Sequence, residues 1–281
     1  MHITDSHHHL WQYNAQEFDW IDDSMSTIRR SFGVDDLANI AEQSGVSGFV
    51  SVQARQCLDE TQALLDMAET CNLIRGVVGW FNLKDPSVGE TLNRFSANKR
   101  LKGARHVLQS EADPSYCLDP SFGRGIGELT RRSLVYDLLI TPVQFEAAIK
   151  LVDQHPQQVF VLDHIAKPPI QPGPIDADWA QRIGELAMRP NVSCKFSGVL
   201  TEVRTPDWSI DLIRPYFETV LAAFGAQRLM FGSDWPVCLL RESYQTWLQT
   251  VQELAVDLSE HEQHAFFSEN VEKIYGLHPS S

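Results

Sequence analysis

Residues 134–163 read LVYDLLITPVQFEAAIKLVDQHPQQVFVLD. Two short apolar, β-branched runs, 134–139 and 158–163, enclose a stretch of helical period over 142–155. Thr141-Pro142 opens that stretch, and proline is well suited to a first helical turn, where its missing N–H would have no partner. Strands joined through a helix pair in parallel, by a right-handed crossover.

The same unit extends in both directions. Strands are expected at 2–6, 48–53, 74–81, 101–106, 134–139, 158–163, 191–197 and 228–233. Amphipathic helices are expected near 35–44, 58–71, 86–97, 120–131, 142–155, 176–188 and 209–224, with two more at 241–255 and 259–275. Asp85-Pro86 repeats the proline signal, and Gly45, Gly225 and Gly276 sit just past helix ends. Eight units favour an α/β fold closed into a (β/α)8 TIM barrel, and 281 residues suit one such domain spanning 1–281. An open doubly wound sheet is disfavoured, because no Gly-rich phosphate loop follows the first strand.

Composition narrows the function classes. With 43% hydrophobic and 21% charged residues, the chain can bury a large core and is neither disordered nor a disulfide scaffold. Lys and Arg number 23 against 37 Asp and Glu, a formal charge of −14 that repels phosphate backbones and anionic lipid, so no nucleic-acid or membrane partner is expected. No apolar run is long enough to span a bilayer, and the N-terminus lacks a basic-then-apolar signal pattern. Five scattered cysteines without a C-x-x-C read as reduced thiols in a cytoplasmic protein. The oligomeric state is not legible.

Polar residues gather where each strand stops being apolar. His7 and His9 follow the first strand and share a face by alternation, with His8 on the other. Two such imidazoles can bind a divalent metal or donate two hydrogen bonds to one oxygen. Gln53 ends the second strand, Arg105 and His106 the fourth, and Asp163, His164 and Lys167 the sixth. Lys195 and Ser197 lie on the seventh, and Asp234 follows the eighth. In a barrel these ends form one face, where catalytic groups collect. Segments 11–33, 107–119 and 168–174 are longer than a connection needs and fall at that same face, as covers for a site do.

Taken together, DSHHHLW, SVQA, KGARHVLQ, VLDHIAKPP, CKFSGV and FGSDWP resemble the amidohydrolase superfamily, in its sugar-lactone hydrolase branch of L-fuconolactonases and L-rhamnonolactonases. The resemblance covers nearly the whole chain. It implies a barrel of the metal-dependent hydrolase type, with His7 and His9 as the first-strand pair, His164 as the sixth-strand histidine and Asp234 as the eighth-strand base. A two-metal centre is not expected. Strand four ends in Arg105-His106 where a bridging Lys or Glu would be needed, Lys102 lies toward the other end, and strand five carries no histidine. Two options remain: one divalent ion, zinc foremost, held by His7, His9, His164 and Asp234, or no metal, as in related lactonases.

The implied reaction opens a sugar-derived lactone, a small-molecule substrate, to its aldonate. Asp234 takes the proton of the attacking water while His7, His9 and His164 polarise the carbonyl, directly or through the ion. Gln53, Arg105, His106 and Lys167 supply donors for substrate hydroxyls, and Trp20, Trp80 and Trp235 offer stacking faces for a sugar ring. Arg105 could instead pair with a structural carboxylate. Lys195 reads equally as a buried partner of Asp163 or as a substrate-orienting group. The runner-up is a metal-dependent decarboxylase of an aromatic or unsaturated acid, kept open by Arg105 and Lys167. A non-catalytic barrel that binds a sugar acid is the remote alternative. Cys194 and Cys238 have no histidine partner and read as core packing.

Overall fold

Val50, Val52, Val78, Val135, Val161 and Met230 come from five different strands and are buried in one cluster, closed by Val271, Tyr275 and Leu277 near the C-terminus. Only a sheet wrapped on itself brings those residues together. The computed structural model describes residues 2–277. In it β1 (Thr4–His8), β2 (Gly48–Val52), β3 (Ile74–Gly79), β4 (Leu101–His106), β5 (Val135–Leu138), β6 (Phe160–Leu162), β7 (Val192–Phe196) and β8 (Leu229–Phe231) lie in sequence order in one parallel sheet. A parallel bridge from His8 to Trp235 joins its last edge to its first, which makes the (β/α)8 barrel.

Each strand presents its other face to the helices. Phe49, Val77, Tyr136, Phe160, Phe196 and Phe231 belong to a second, larger core packed under the helical ring. That ring comprises α1 (Val34–Ser44), α2 (Leu58–Thr70), α3 (Val88–Phe95), α4 (Pro120–Thr130), α5 (Phe145–Gln154), α6 (Ala177–Ala187), α7 (Ile210–Phe224) and α8 (Tyr244–Leu254). Helix starts are marked by acceptor side chains: Asp119, Asp176, Ser209 and Ser243 each take a hydrogen bond from a free N–H of α4, α6, α7 or α8. Pro86 precedes α3, which is shorter than the expected 86–97.

Three differences from the sequence reading have physical causes. β1 runs two residues further than the apolar pattern, because backbone pairing with β2 continues through His8 although the side chains have turned polar. β6 spans three residues, because the chain enters left-handed backbone at His164. The helix expected at 259–275 is broken by a wide turn at Ala265–Glu269, which separates α9 (Glu260–His264) from α10 (Asn270–Ile274) and buries Phe266 and Phe267 together. Cys194 and Cys238 are buried, and burial pushes both thiols up. No helix of the described residues is long and apolar enough to cross a membrane.

Candidate active site

The C-terminal end of β1 places His7 Nε2 3.3 Å from His9 Nε2. Just past β8, Asp234 Oδ1 lies 3.3 Å from His9 Nε2 and 3.7 Å from His7 Nε2. These two arms are tied backbone to backbone, Asp234 N donating to His7 O at 2.8 Å and His9 N to Trp235 O at 2.7 Å. Asp5 reinforces the tie. Its Oδ1 accepts from His7 N at 3.0 Å and Ser233 N at 2.9 Å, and its Oδ2 accepts from Tyr244 OH at 3.0 Å. Burial pushes this carboxyl up to about 6, against the pull of those donors.

His164 reaches the cluster by a strained route. Residues 164–167 have φ of 52°, 49°, 59° and 52°, a left-handed turn that costs an L-residue roughly 1–2 kcal/mol each. Packing holds it: Ile165 and Ala166 are fully buried, and Trp179 Nε1 donates to Ile165 O at 2.9 Å. The turn sets His164 Nδ1 2.9 Å from Ser197 Oγ and Nε2 3.9 Å from Asp234 Oδ1. Asp234 is itself left-handed, at φ 58°. Gly198 fills the space between the two. A Cβ there would stand 2.5 Å from His164 Nδ1 and 3.0 Å from Asp234 Oδ2, and its own φ of +61° also favours glycine.

Beneath the histidines lies a buried charge network. Lys195 Nζ is 2.5 Å from Asp137 Oδ2, 3.0 Å from Asp163 Oδ1 and 3.3 Å from His7 Nδ1. Arg105 Nη1 donates to Asp163 Oδ2 at 3.0 Å, while Nη2 donates to Gln53 Oε1 at 3.0 Å and to the Gln53 carbonyl. Tyr275 OH donates to Asp137 Oδ1 at 2.8 Å. Burial pushes the Asp163 carboxyl up, but Lys195 and His7 outweigh it and hold the group well below its ordinary value. Burial drives His7 well down and His164 down to about 4, so both imidazoles are neutral near neutral pH. Asp234 stays ionised: burial raises its carboxyl, but His164 and the His9 contact pull it below the usual range.

Above this floor opens a cavity of about 440 Å³. His9, Arg105, His164, Lys167 and Asp234 line it, and so do Glu17, Asp19 and Trp20 from the 11–33 segment. Residues 54–57, with Val107, Gln109 and Ser110, complete much of the wall.

The amidohydrolase family matches residues 4–277, which is almost the entire chain. The protein belongs to the amidohydrolase family. It is 36% identical to an L-fucono-1,5-lactonase of Burkholderia multivorans, over 97% of this chain and 95% of that protein. A solved amidohydrolase of Burkholderia multivorans with bound zinc has a TM-score of 0.95 at 35% identity, covering 99% of this chain and 100% of that one. A 2,6-dihydroxybenzoate decarboxylase from Rhizobium shares the fold, with a TM-score of 0.71 at 14% identity over 98% of this chain and 99% of its own.

This amidohydrolase carries a donor set that suits one divalent ion. Val52 O can only accept, so His9 Nδ1, 2.7 Å away, carries a hydrogen and leaves a lone pair on Nε2 in the neutral ring. His7 Nδ1 lies 3.3 Å from both Asp163 Oδ1 and Lys195 Nζ, while Arg105 Nη1, which can only donate, faces its Nε2, so the Nε2 lone pair points the same way. Two lone pairs and a carboxylate oxygen therefore converge, with separations of 3.3, 3.3 and 3.7 Å. A tetrahedral ion with bonds of about 2.1 Å has edges of roughly 3.4 Å. The residues fit the ion. A second triad, His7, Asp163 and His164, is also close enough to ligate, but Lys195 and Arg105 already neutralise Asp163. Arg105 Nη1 also stands 3.2 Å from His7 Nε2.

The amidohydrolase distributes the other expected residues unevenly. Trp20 and Lys167 line the cavity, Lys167 paired with Glu202 at 3.0 Å. Gln53 is a buried brace for Arg105 rather than a cavity wall. His106 and Trp80 stand off the cavity lining: Trp80 Nε1 donates to His106 Nδ1 at 3.2 Å, and His106 Nε2 is 2.6 Å from Glu111 Oε1. Trp235 is buried against Phe32 and His8, because the turn after β8 points Asp234 to the site and tucks the next residue underneath. Lys195 takes its structural reading, as the buried partner of Asp163 and Asp137. Sequence reasoning passed over Arg55, Glu17, Asp19, Gln109, Asp5 and Glu60. Arg55, three residues past the end of β2 and two from Gln53, is the one its position could have flagged.

Proposed function

We propose that this protein hydrolyses an uncharged sugar-derived lactone to its aldonate, with L-fucono-1,5-lactone as the first substrate to try. The name of the 36% identical relative supports this, and so does that of an L-rhamnono-gamma-lactonase of Scheffersomyces stipitis, 25% identical over 63% of this chain. One observation carries the reading on this chain itself. Of the three cationic side chains lining the cavity, two are held by buried carboxylates, Arg105 by Asp163 at 3.0 Å and Lys167 by Glu202 at 3.0 Å, and only Arg55 meets an exposed one, Glu17 at 3.3 Å. A neutral lactone needs no free cation. An aromatic acid awaiting decarboxylation would bring a second carboxylate against the ionised Asp234, with neither Arg105 nor Lys167 free to offset it.

In this reading Asp234 accepts a proton from the attacking water as the water oxygen bonds to the lactone carbonyl carbon. The tetrahedral oxyanion then collapses, the bond from that carbon to the ring oxygen breaks, and Asp234 returns the proton to the departing oxygen. His164, braced by Ser197, presents Nε2 on the Asp234 side of the cavity, where it can steady the developing charge. His7, His9 and Asp234 would hold a divalent ion, zinc by its preference for nitrogen and oxygen donors, and when bound it supplies Lewis acidity. Five free cysteines fit a reducing compartment, and a cytoplasmic location is part of the proposal.

The test is a panel of aldonolactones and aromatic acids, with acid release followed by pH-stat and decarboxylation by ultraviolet absorbance. Acid release above the spontaneous rate with lactones alone is expected. Loss of an aromatic acid's absorbance without lactone turnover would reverse the assignment.

A further inference from the structure

Three ion pairs border the cavity, and they are not alike. Asp163 and Glu202, the partners of Arg105 and Lys167, are buried, with side-chain exposures of 0% and 7%. Glu17, the partner of Arg55, is 46% exposed and sits on the 11–33 segment. Opening an exposed pair costs little, whereas opening a buried one strands a charge. Arg55 is thus the cation that can change partners.

Its surroundings suit that role. The Arg55 backbone is fixed from below: the buried Glu60 Oε2 accepts from Arg55 N at 2.8 Å and Ala54 N at 3.0 Å. The guanidinium carbon lies 5.4 Å from the Phe18 ring centroid, and the side chain is 25% exposed into the cavity mouth. A planar fork on a fixed base can meet two oxygens at once, the spacing that neighbouring hydroxyls of a sugar ring present.

We propose that Arg55 is a specificity-determining residue, which releases Glu17 and takes two ring hydroxyls of the bound lactone. This rests on the lactonase reading. Glu17 is then a competitor for the substrate, not a helper, so loss of Arg55 should raise KM and loss of Glu17 should not.

The experiment is steady-state kinetics of wild type, Arg55→Gln and Glu17→Gln on L-fucono-1,5-lactone and on δ-valerolactone, which has the ring without the hydroxyls. Arg55→Gln should raise KM for the sugar lactone roughly 10- to 100-fold, the loss of charge-assisted hydrogen bonds, with kcat within about threefold. Glu17→Gln should leave that KM unchanged or lower it up to about fivefold, since an exposed pair is weak. With δ-valerolactone the Arg55→Gln effect should vanish. If both variants raise KM, if Arg55→Gln leaves KM for the sugar lactone within about twofold of wild type, or if its penalty persists with δ-valerolactone, the assignment is wrong. No lactone turnover by the wild type would overturn the lactonase reading itself, and this one with it.

Discussion

His9 Nδ1 stands 2.7 Å from the carbonyl oxygen of Val52, the last residue of β2, so the neighbouring strand decides which nitrogen of His9 is free. With Nδ1 committed, Nε2 faces His7 Nε2 and Asp234 Oδ1 as a lone pair, and three electron-rich atoms meet around one point. Arg105 Nη1 already meets His7 Nε2 at 3.2 Å, and a divalent ion would take that place. One Zn²⁺ per chain is the expected stoichiometry, because the second triad is neutralised by Lys195 and Arg105. His9→Gln should weaken zinc by more than the roughly 10- to 100-fold that loss of an outer partner costs. Competition with a chromophoric chelator measures both, and two ions per chain or an unchanged affinity in His9→Gln would contradict the geometry.

Gly198 is required by space and by backbone. In Gly198→Ala the new methyl meets His164 Nδ1 and Asp234 Oδ2, and displacement of either side chain is expected to lower kcat about 100-fold. The protein should remain folded, with a loss of roughly 1–2 kcal/mol from the left-handed φ. Comparing kcat with thermal melting separates the two effects. A wild-type kcat would mean that His164 and Asp234 tolerate movement.

Glu60 makes a pH-dependent contribution to stability. Burial pushes its carboxyl from 4.5 up to about 7, against the hydrogen bonds from Arg55 N and Ala54 N. A raised folded value means the folded state binds the proton more tightly, so the contribution is complete below pH 4.5 and lost as pH rises through about 7. Glu60→Gln lacks this term. Between pH 4.5 and 8 its stability should therefore gain on wild type by about 3 kcal/mol, read from urea melts at each pH. A gap that does not change with pH would show the group titrating normally.

Lys195 is fully buried between Asp137 and Asp163. Lys195→Met leaves two interior carboxylates short of their cation and is expected to cost about 3–5 kcal/mol, measured by denaturant unfolding. An unaffected stability would mean that Arg105 and Tyr275 suffice.

The barrel was legible because each strand is a β-branched run and each helix carries its own start and stop residues, as at 134–163. The cluster proposed to be catalytic was legible for a related reason: His7, His9, His164 and Asp234 break the apolar pattern at the same end of their strands, and the structure brings them together. Partner choice was not legible. Trp235 and Asp234 are adjacent in sequence, yet the turn after β8 sends one to the site and buries the other, and nothing in FGSDWP marks which. Gln53 ends the strand expected at 48–53 and so reads as a substrate donor, whereas the guanidinium of Arg105 claims it across the barrel. Arg55 and Glu17 were invisible because their pairing joins two loops 38 residues apart by numbering, with no periodicity to connect them.

All of this converges on whether the Asp234 carboxylate performs hydrolysis. The decisive measurement is pH-stat turnover of L-fucono-1,5-lactone by wild type and Asp234→Asn, with circular dichroism on both. Wild type should release acid well above the spontaneous rate, and Asp234→Asn should lose roughly 10²–10⁴ of that turnover with its spectrum unchanged. Equal rates from the two folded proteins would contradict the account.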